Sequence, residues 1–427
     1  MVKLLVESKT VCNLEDLSNK LRSAVKVDSD GIPQISQQAL DILDKIKECI
    51  ISEVVGEEVD EAIKWVETVK RVVERLRQRF RLAGFTYPRE FASFIEDPIQ
   101  HLKKKLFNYI YDLARGKISL DEFRRRAAAA VRTSLRTNMR TAYQIWGLTS
   151  IAAILAERGY ELVYPEHRFL NFDRSGKQKL GIIPPNFVLL NLGKGYLSFF
   201  HEAPRPLGWE DTHDLQRIWS LYTALRPDAM VYGGKVLNIV DLGSSPPIRK
   251  PNIILEFKEL SDWYTRTRDL RGHFRKPLTA EEWRSKWLEG LFEGLADIMG
   301  VKRSEVRKRI EEGVTLRIKE YQLVQLYKST YKPDVMILVS RTAVPADVKR
   351  YLESIGILVV DDVQFDAKKL EPVADVIERY ASYGEEDRIS IALSIDVARM
   401  LAEVMKKLGV NDVNEVLRLA LKRLLSG

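Results

Sequence analysis

The stretch RPDAMVYGGKVLNIVDLGSSPPIRKPNIILEFKEL, residues 226–260, decides the fold. Its final run, NIILEFKE, is apolar enough for a buried strand, yet it carries Glu256 and Lys258 two residues apart. Successive side chains of a strand point to opposite faces, so these two share one face while Leu255 and Phe257 turn to the other, into apolar packing. The earlier run PDAMVY reads as a second strand, with Asp228 at its start. If the two strands are neighbours, Asp228, Glu256 and Lys258 meet at one end of a sheet. Mg²⁺ (or Mn²⁺) takes oxygen ligands and keeps several waters, so two carboxylates from adjacent strands can hold it against a phosphate. Such an ion lowers the pKa of a water and neutralises charge developing on phosphoryl oxygens, and Lys258 is placed to orient that water or stabilise the transition state.

Pro227-Asp228 and Glu256-Phe257-Lys258, in this order on two strands, resemble the signature of the PD-(D/E)XK (restriction-endonuclease-like) nuclease superfamily. The resemblance extends over roughly residues 140–370 and includes the strand–helix–strand run PDVMILVSRTAVPADVKRYLESIGILVVDDV, residues 333–363. It implies a mixed α/β core, phosphodiester hydrolysis, Mg²⁺ or Mn²⁺ as cofactor and DNA as partner. Relatives commonly join the two motifs through a single hairpin, whereas here KVLNIVDLGSSPPIRK intervenes and makes Asp241 an extra ligand or a rival to Asp228. Many relatives add a carboxylate from the helix before the first strand; Glu157 is the candidate and Glu161 its alternative. Gln322 and Tyr327 do not match the spacing of the Gln and Tyr pair found in some relatives, and core packing or a helix surface explains Gln322 better.

Outward from this centre, residues 35–159 show apolar side chains at three- and four-residue spacing, the pattern of amphipathic helices. Ser119 and Glu122 form a capping-box signal for a long helix running to about Arg158. After Gly159 short apolar runs broken by Pro and Gly indicate a sheet, KVLNIVDL among them, and beyond Lys258 the chain turns helical through RSEVRKRIEEGVTLRIKEYQLVQLYKS. The expected organisation is α/β: a helical domain over 1–140, a nuclease-like core over 141–380 and a small module over 385–427. That module has one alternating run, RISIALS, and two short amphipathic segments with Ser394 as first cap and Gly409 as stop. It resembles the ribbon-helix-helix fold, which implies a homodimer whose paired strands enter the DNA major groove, with Arg388 as the strongest reader.

Basic residues suggest where the nucleic acid lies. ELSDWYTRTRDLRGHFRKPL, residues 259–278, interleaves Arg266, Arg268, Arg271, Arg275 and Lys276 with Trp263, Tyr264 and Phe274, so cations can meet phosphates and rings can stack on unpaired bases. Arg125, Arg132, Arg136 and Arg140 recur along the long helix as a basic stripe, which is either a solvated face or a phosphate track.

Composition sets the outer limits. The chain has 427 residues, 45% hydrophobic and 30% charged, with 68 Lys and Arg against 60 Asp and Glu and a net charge of +8. That is a multi-domain globular protein with a modest bias towards polyanions. Cys12 and Cys49 are the only cysteines, too few for a disulfide framework or a thiolate metal site, so a reducing, cytoplasmic setting is expected. WGLTSIAAILA, the longest uncharged apolar stretch, is about half of the ~20 residues a membrane span requires, and no membrane partner is expected. High charge with few Cys, His and Met fits a thermophilic source. These features leave three readings open: a metal-dependent DNA endonuclease acting as a dimer, a catalytically inactive DNA-binding regulator or structural protein, and a nuclease for RNA or for single-stranded or branched DNA.

Overall fold

The long helices are built from local signals. In the computed structural model, which describes residues 12–27, 33–173, 182–203, 226–241, 243–244, 246, 248–270, 292–312, 316–384 and 393–425, Ser36 caps helix α2 (Gln37–Phe80), its side chain accepting from the Ala39 amide. A short helix α1 (Leu14–Ala24) packs beside α2. Three short helices of eight residues each, α3 (Arg89–Glu96), α4 (Pro98–Lys105) and α5 (Phe107–Ala114), lead to α6 (Leu120–Glu157). Ser119 caps α6 by accepting from the Glu122 amide, 3.2 Å away. The Glu122 carboxylate does not complete the expected box; it pairs with Arg125 and Arg126 at 2.7 and 2.6 Å.

Every residue from Thr141 to Ala156 is buried. A helix segment apolar on all sides belongs in the centre of a fold, and here that half of α6 lies among α2, the helix α10 (Glu371–Glu378) and the sheet.

The sheet has seven strands: β1 (Glu161–Tyr164), β2 (Phe187–Asn191), β3 (Gly195–His201), β4 (Ala229–Gly233), β5 (Ile253–Lys258), β6 (Val335–Ser340) and β7 (Ile357–Val360). Their spatial order simply reverses the chain order, β7-β6-β5-β4-β3-β2-β1. β6 runs parallel to β5 and to β7, and the other four pairings are antiparallel. The architecture is thus mixed α/β with a mostly antiparallel sheet. The parallel pair β6 and β7 is joined through α9 (Ala346–Ser354), as a crossover between parallel strands requires.

Strand alternation divides the core in two. Ile253, Leu255 and Phe257 of β5 join a large apolar cluster with α1, α2 and α6, running from Leu14 to Ile377. Ile254 faces a second cluster with Met230, Tyr232, Trp263 and the helix α8 (Glu320–Tyr331). Glu256 and Lys258, in phase with Ile254, therefore emerge where that second face reaches the end of the strand.

Three expectations need correction. KVLNIVDL is not the expected strand: its described residues, 235–241, form a loop tied by one bridge between Val240 and Ile248, with the Asn238 side-chain Oδ1 accepting from the amides of Ile183 and Val240 at 2.9 and 3.1 Å. The run LRIK, residues 316–319, is not helical. Leu316–Lys319 is a strand paired antiparallel with Thr267–Leu270, and it separates α7 (Arg303–Glu311) from α8. Finally, Cys12 and Cys49 are joined as a disulfide, their Cα atoms 5.8 Å apart, because packing of α1 on α2 brings them together.

Residues Gly384–Gly427 form a separate unit. Ser394 caps α11 (Ile395–Leu408), accepting from the Val397 amide, and Gly409 ends it with φ of 66°, in the region that favours glycine. A second helix, α12 (Val413–Leu425), follows. Most of RISIALS, Arg388 included, lies outside the described residues. Among those described, no helix is long and apolar enough to cross a membrane.

Candidate active site

The register that pairs Ala229 with Leu255 puts Asp228 across from Glu256 at the next position. The Asp228 amide donates to Glu256 Oε2 at 3.3 Å, and the Phe257 amide donates back to Asp228 Oδ2 at 2.7 Å. Gln144 Nε2 of α6 reaches Asp228 Oδ1 at 2.6 Å. The Lys258 ammonium lies 2.9 Å from Glu256 Oε1 and 3.2 Å from Glu320 Oε2, at the first residue of α8. It also sits 5.9 Å from the centre of the Trp263 ring. All three motif residues are buried, and all line one cavity of about 360 Å³.

Burial shapes the charges. Asp228 is held well above the usual carboxylate range, first by desolvation and then by the neighbouring Glu256 charge. Desolvation pulls the Lys258 ammonium down, but Glu256, Glu320 and Asp228 outweigh it and leave Lys258 above its ordinary value. Glu259, next along the chain and also buried, is raised by desolvation. Arg226, two residues before Asp228, is lowered by the same cause.

The donors suit a cation that keeps most of its waters. Asp228 and Glu256 place two like charges together in a desolvated wall, a cost that a divalent ion offsets. Gln144 Oε1 is buried on that wall and has no hydrogen-bond partner among the described residues. A closed protein cage is not present, since no group of three or more His, Cys, Asp and Glu side chains among the described residues is arranged to hold a metal.

The other sequence candidates divide clearly. Arg136, Arg140 and Arg266 line the cavity; the first two are exposed, and Arg266 pairs with Asp262 at 2.9 Å. Arg132 is exposed on α6 and does not line it. Arg268 lies on the strand Thr267–Leu270. Arg271, Arg275, Lys276 and Arg388 lie outside the described residues. Glu157 is exposed at the end of α6, thirteen residues past Gln144, which is about 20 Å along the axis and on another face. Glu161 is exposed, 3.9 Å from Arg79. Asp241 accepts from the Gly243 amide and the Ser244 hydroxyl at 2.9 and 2.6 Å, the chemistry of a turn. Gln322 accepts from the Lys319 amide at the start of α8, while Tyr327 is buried and lines the cavity. Trp263 is a core residue, its indole N–H donating to Ser340 Oγ at 3.1 Å, so this ring is not free to stack on a base.

Among the cavity residues not singled out from sequence are Gln144, Glu202, Arg226, Glu259 and Glu320. Gln144 extends the stripe Arg132, Arg136, Arg140 by one more four-residue step, which was a readable signal. Glu202, at the end of β3, has φ of 44°, a conformation that costs a non-glycine residue roughly 1–3 kcal/mol. Its amide donates to the Asp228 carbonyl at 2.8 Å. No protein family, curated protein or solved structure matches the chain.

Proposed function

We propose that the protein is a Mg²⁺-dependent (or Mn²⁺-dependent) endonuclease that hydrolyses DNA phosphodiester bonds as a dimer, on a core of the PD-(D/E)XK type. The observation that carries this reading is the convergence of Asp228, Glu256 and Lys258 in one cavity rimmed by Arg136, Arg140 and Arg266. Asp228 and Glu256 would hold the cation, with Gln144 fixing the Asp228 carboxylate. The ion, when bound, supplies charge neutralisation at the phosphate and an activated water. In the reaction a water oxygen adds to phosphorus, the phosphorus–oxygen bond to the leaving nucleotide breaks, and the leaving oxygen takes a proton. Glu256 and Glu320 keep Lys258 protonated, so its ammonium can orient the water or balance charge on a non-bridging oxygen.

Arg132, Arg136 and Arg140 on α6, with Arg266, Arg268, Arg271, Arg275 and Lys276 after β5, would bind flanking phosphates. For Gly384–Gly427 we infer a ribbon-helix-helix-like module that pairs with a second copy and adds Arg388 to the DNA contacts. What supports this is the exposure of apolar residues on both helices, such as Ile395, Met400 and Leu424 at 72%, 67% and 78%. So small a unit has no adequate core alone. A cytoplasmic setting, in contact with DNA, goes with this reading, and the Cys12–Cys49 disulfide fits it only for a thermophilic source, where intracellular disulfides occur. Incubation of the purified chain with supercoiled plasmid, linear duplex, single strands and RNA, in Mg²⁺, Mn²⁺ or EDTA, tests it: metal-dependent cutting of duplex DNA is expected.

One observation favours the catalytically inactive, DNA-binding reading instead. Both Asp228 oxygens accept internal hydrogen bonds and Lys258 is clamped between two glutamates, a network already satisfied without ligand. Duplex binding with no cutting on any substrate would select that reading.

A further inference from the structure

The tripeptide Arg226-Pro227-Asp228 carries more than its aspartate. Arg226 and Asp228 flank Pro227 immediately before β4, and both line the cavity that Glu256 and Lys258 of β5 line. The segment leading into β4 and the end of β5 thus each bring a cation and a carboxylate to the same cavity. The Arg226 side chain is only 11% exposed, and its nearest carboxylate oxygen, Glu202 Oε2, is 3.9 Å away, beyond hydrogen-bond length. Its Nε is buried with no hydrogen-bond partner among the described residues.

Glu202 balances the charge at ion-pair distance but supplies no hydrogen bond, and a buried donor without a hydrogen bond is costly, a cost that a ligand oxygen would offset. The planar donor fork of arginine fits the paired oxygens of a phosphate; Asp228 is committed to Gln144 and Phe257 and Glu256 to Lys258, and Glu202 faces the guanidinium only at ion-pair distance. Arg226 lines the same cavity as Gln144 and Lys258.

We propose that Arg226 is the phosphate-binding residue of the site, its guanidinium taking the non-bridging oxygens of the phosphodiester that Asp228, Glu256 and Lys258 act on. This rests on the nuclease reading for the identity of the phosphate, but the anion site itself can be measured without cleavage. The full chain in EDTA is heated with inorganic phosphate or with chloride at matched ionic strength. Phosphate is expected to raise the Tm of the parent protein and not that of Arg226→Gln, whose far-UV spectrum stays unchanged. Arg226→Lys, which keeps the charge without the fork, is expected to recover part of the shift and guards against misfolding of the amide variant. No phosphate shift in the parent protein, or an equal shift in Arg226→Gln, overturns the proposal.

On a cleaved duplex, Arg226→Gln is expected to lower kcat/KM by about 10²–10³-fold, the usual loss for one charge-stabilising donor. The slope of log binding constant against log salt should fall by about 1. Unchanged kcat/KM in Arg226→Gln overturns the proposal as well. Failure of the parent protein to cut any nucleic acid, with the phosphate shift intact and Arg226-dependent, removes the nuclease reading and leaves the anion site standing.

Discussion

Gly147→Ala tests how the long helix holds the catalytic strand. Gly147 is buried in α6 directly against the ring of Phe257, the residue between Glu256 and Lys258. A Cβ added there overlaps Phe257 Cε1 and comes within 2.7 and 2.9 Å of Cδ1 and Cζ. Ordinary carbon contacts are about 3.5–4.0 Å, so the ring would have to retreat by roughly 1 Å. It has little room, being 2% exposed and edge-on to Tyr143 with ring centres 6.2 Å apart. Helix propensity favours alanine over glycine by about 1 kcal/mol, whereas overpacking costs about 1–3 kcal/mol, so the expected net effect is a loss of up to about 2 kcal/mol. Gly56→Ala on α2 is the control, since the nearest atom to its added Cβ is Ser52 Oγ at 3.8 Å; it should gain about 0.5–1 kcal/mol. Denaturant unfolding of both variants, and of Gly147→Ala combined with Phe257→Leu, gives the comparison. The smaller side chain should relieve part of the cost, a coupling typical of residues in contact. Because the Phe257 amide holds Asp228, Gly147→Ala should also impair any cleavage. Gly147→Ala as stabilising as Gly56→Ala would refute the packing argument.

Other consequences can be measured directly. Mg²⁺ or Mn²⁺ at 100 times its Kd should stabilise the parent protein by about 2.7 kcal/mol and leave Asp228→Asn or Glu256→Gln nearly unaffected, read by thermal unfolding against EDTA. His101 is buried, with Nε2 3.0 Å from Ser134 Oγ, and burial followed by the Lys105 charge lowers its pKa despite Glu90. The unfolded chain thus takes up a proton near pH 6.5 that the folded chain does not, so stability should fall as pH drops through that value, by at most about 1.4 kcal/mol per unit. His101→Gln should flatten that slope in denaturant titrations across this range. Deleting residues 385–427 should halve the mass in solution by sedimentation; an unchanged dimer would place the interface elsewhere.

The sequence was most legible where one period settled the geometry. Alternation along residues 253–258 alone separated Leu255 and Phe257 from Glu256 and Lys258, and apolar strands around a helix gave the parallel pair β6 and β7. It was least legible where partners came from afar: Gln144 meets Asp228 across 84 residues, and Glu320 meets Lys258 across 62. Glu157 lies away from the cavity for a different reason: choosing a carboxylate by its distance from the next strand ignored helical phase. KVLNIVDL failed because its apolar residues Val236 and Ile239 are buried from a loop, and burial alone does not make a strand. Arg226 stood two residues before Asp228 in the opening stretch, but its burial in the same cavity came only with the fold.

The central claim is that Asp228, Glu256 and Lys258 form one hydrolytic site. The most direct measurement is cleavage of duplex DNA in Mg²⁺ or Mn²⁺ by the parent protein beside Asp228→Ala and Lys258→Ala, with folding of each checked by circular dichroism. The account predicts cutting that needs the metal and is lost in both folded variants. Metal-dependent cutting that persists at the parent rate in either variant would contradict it.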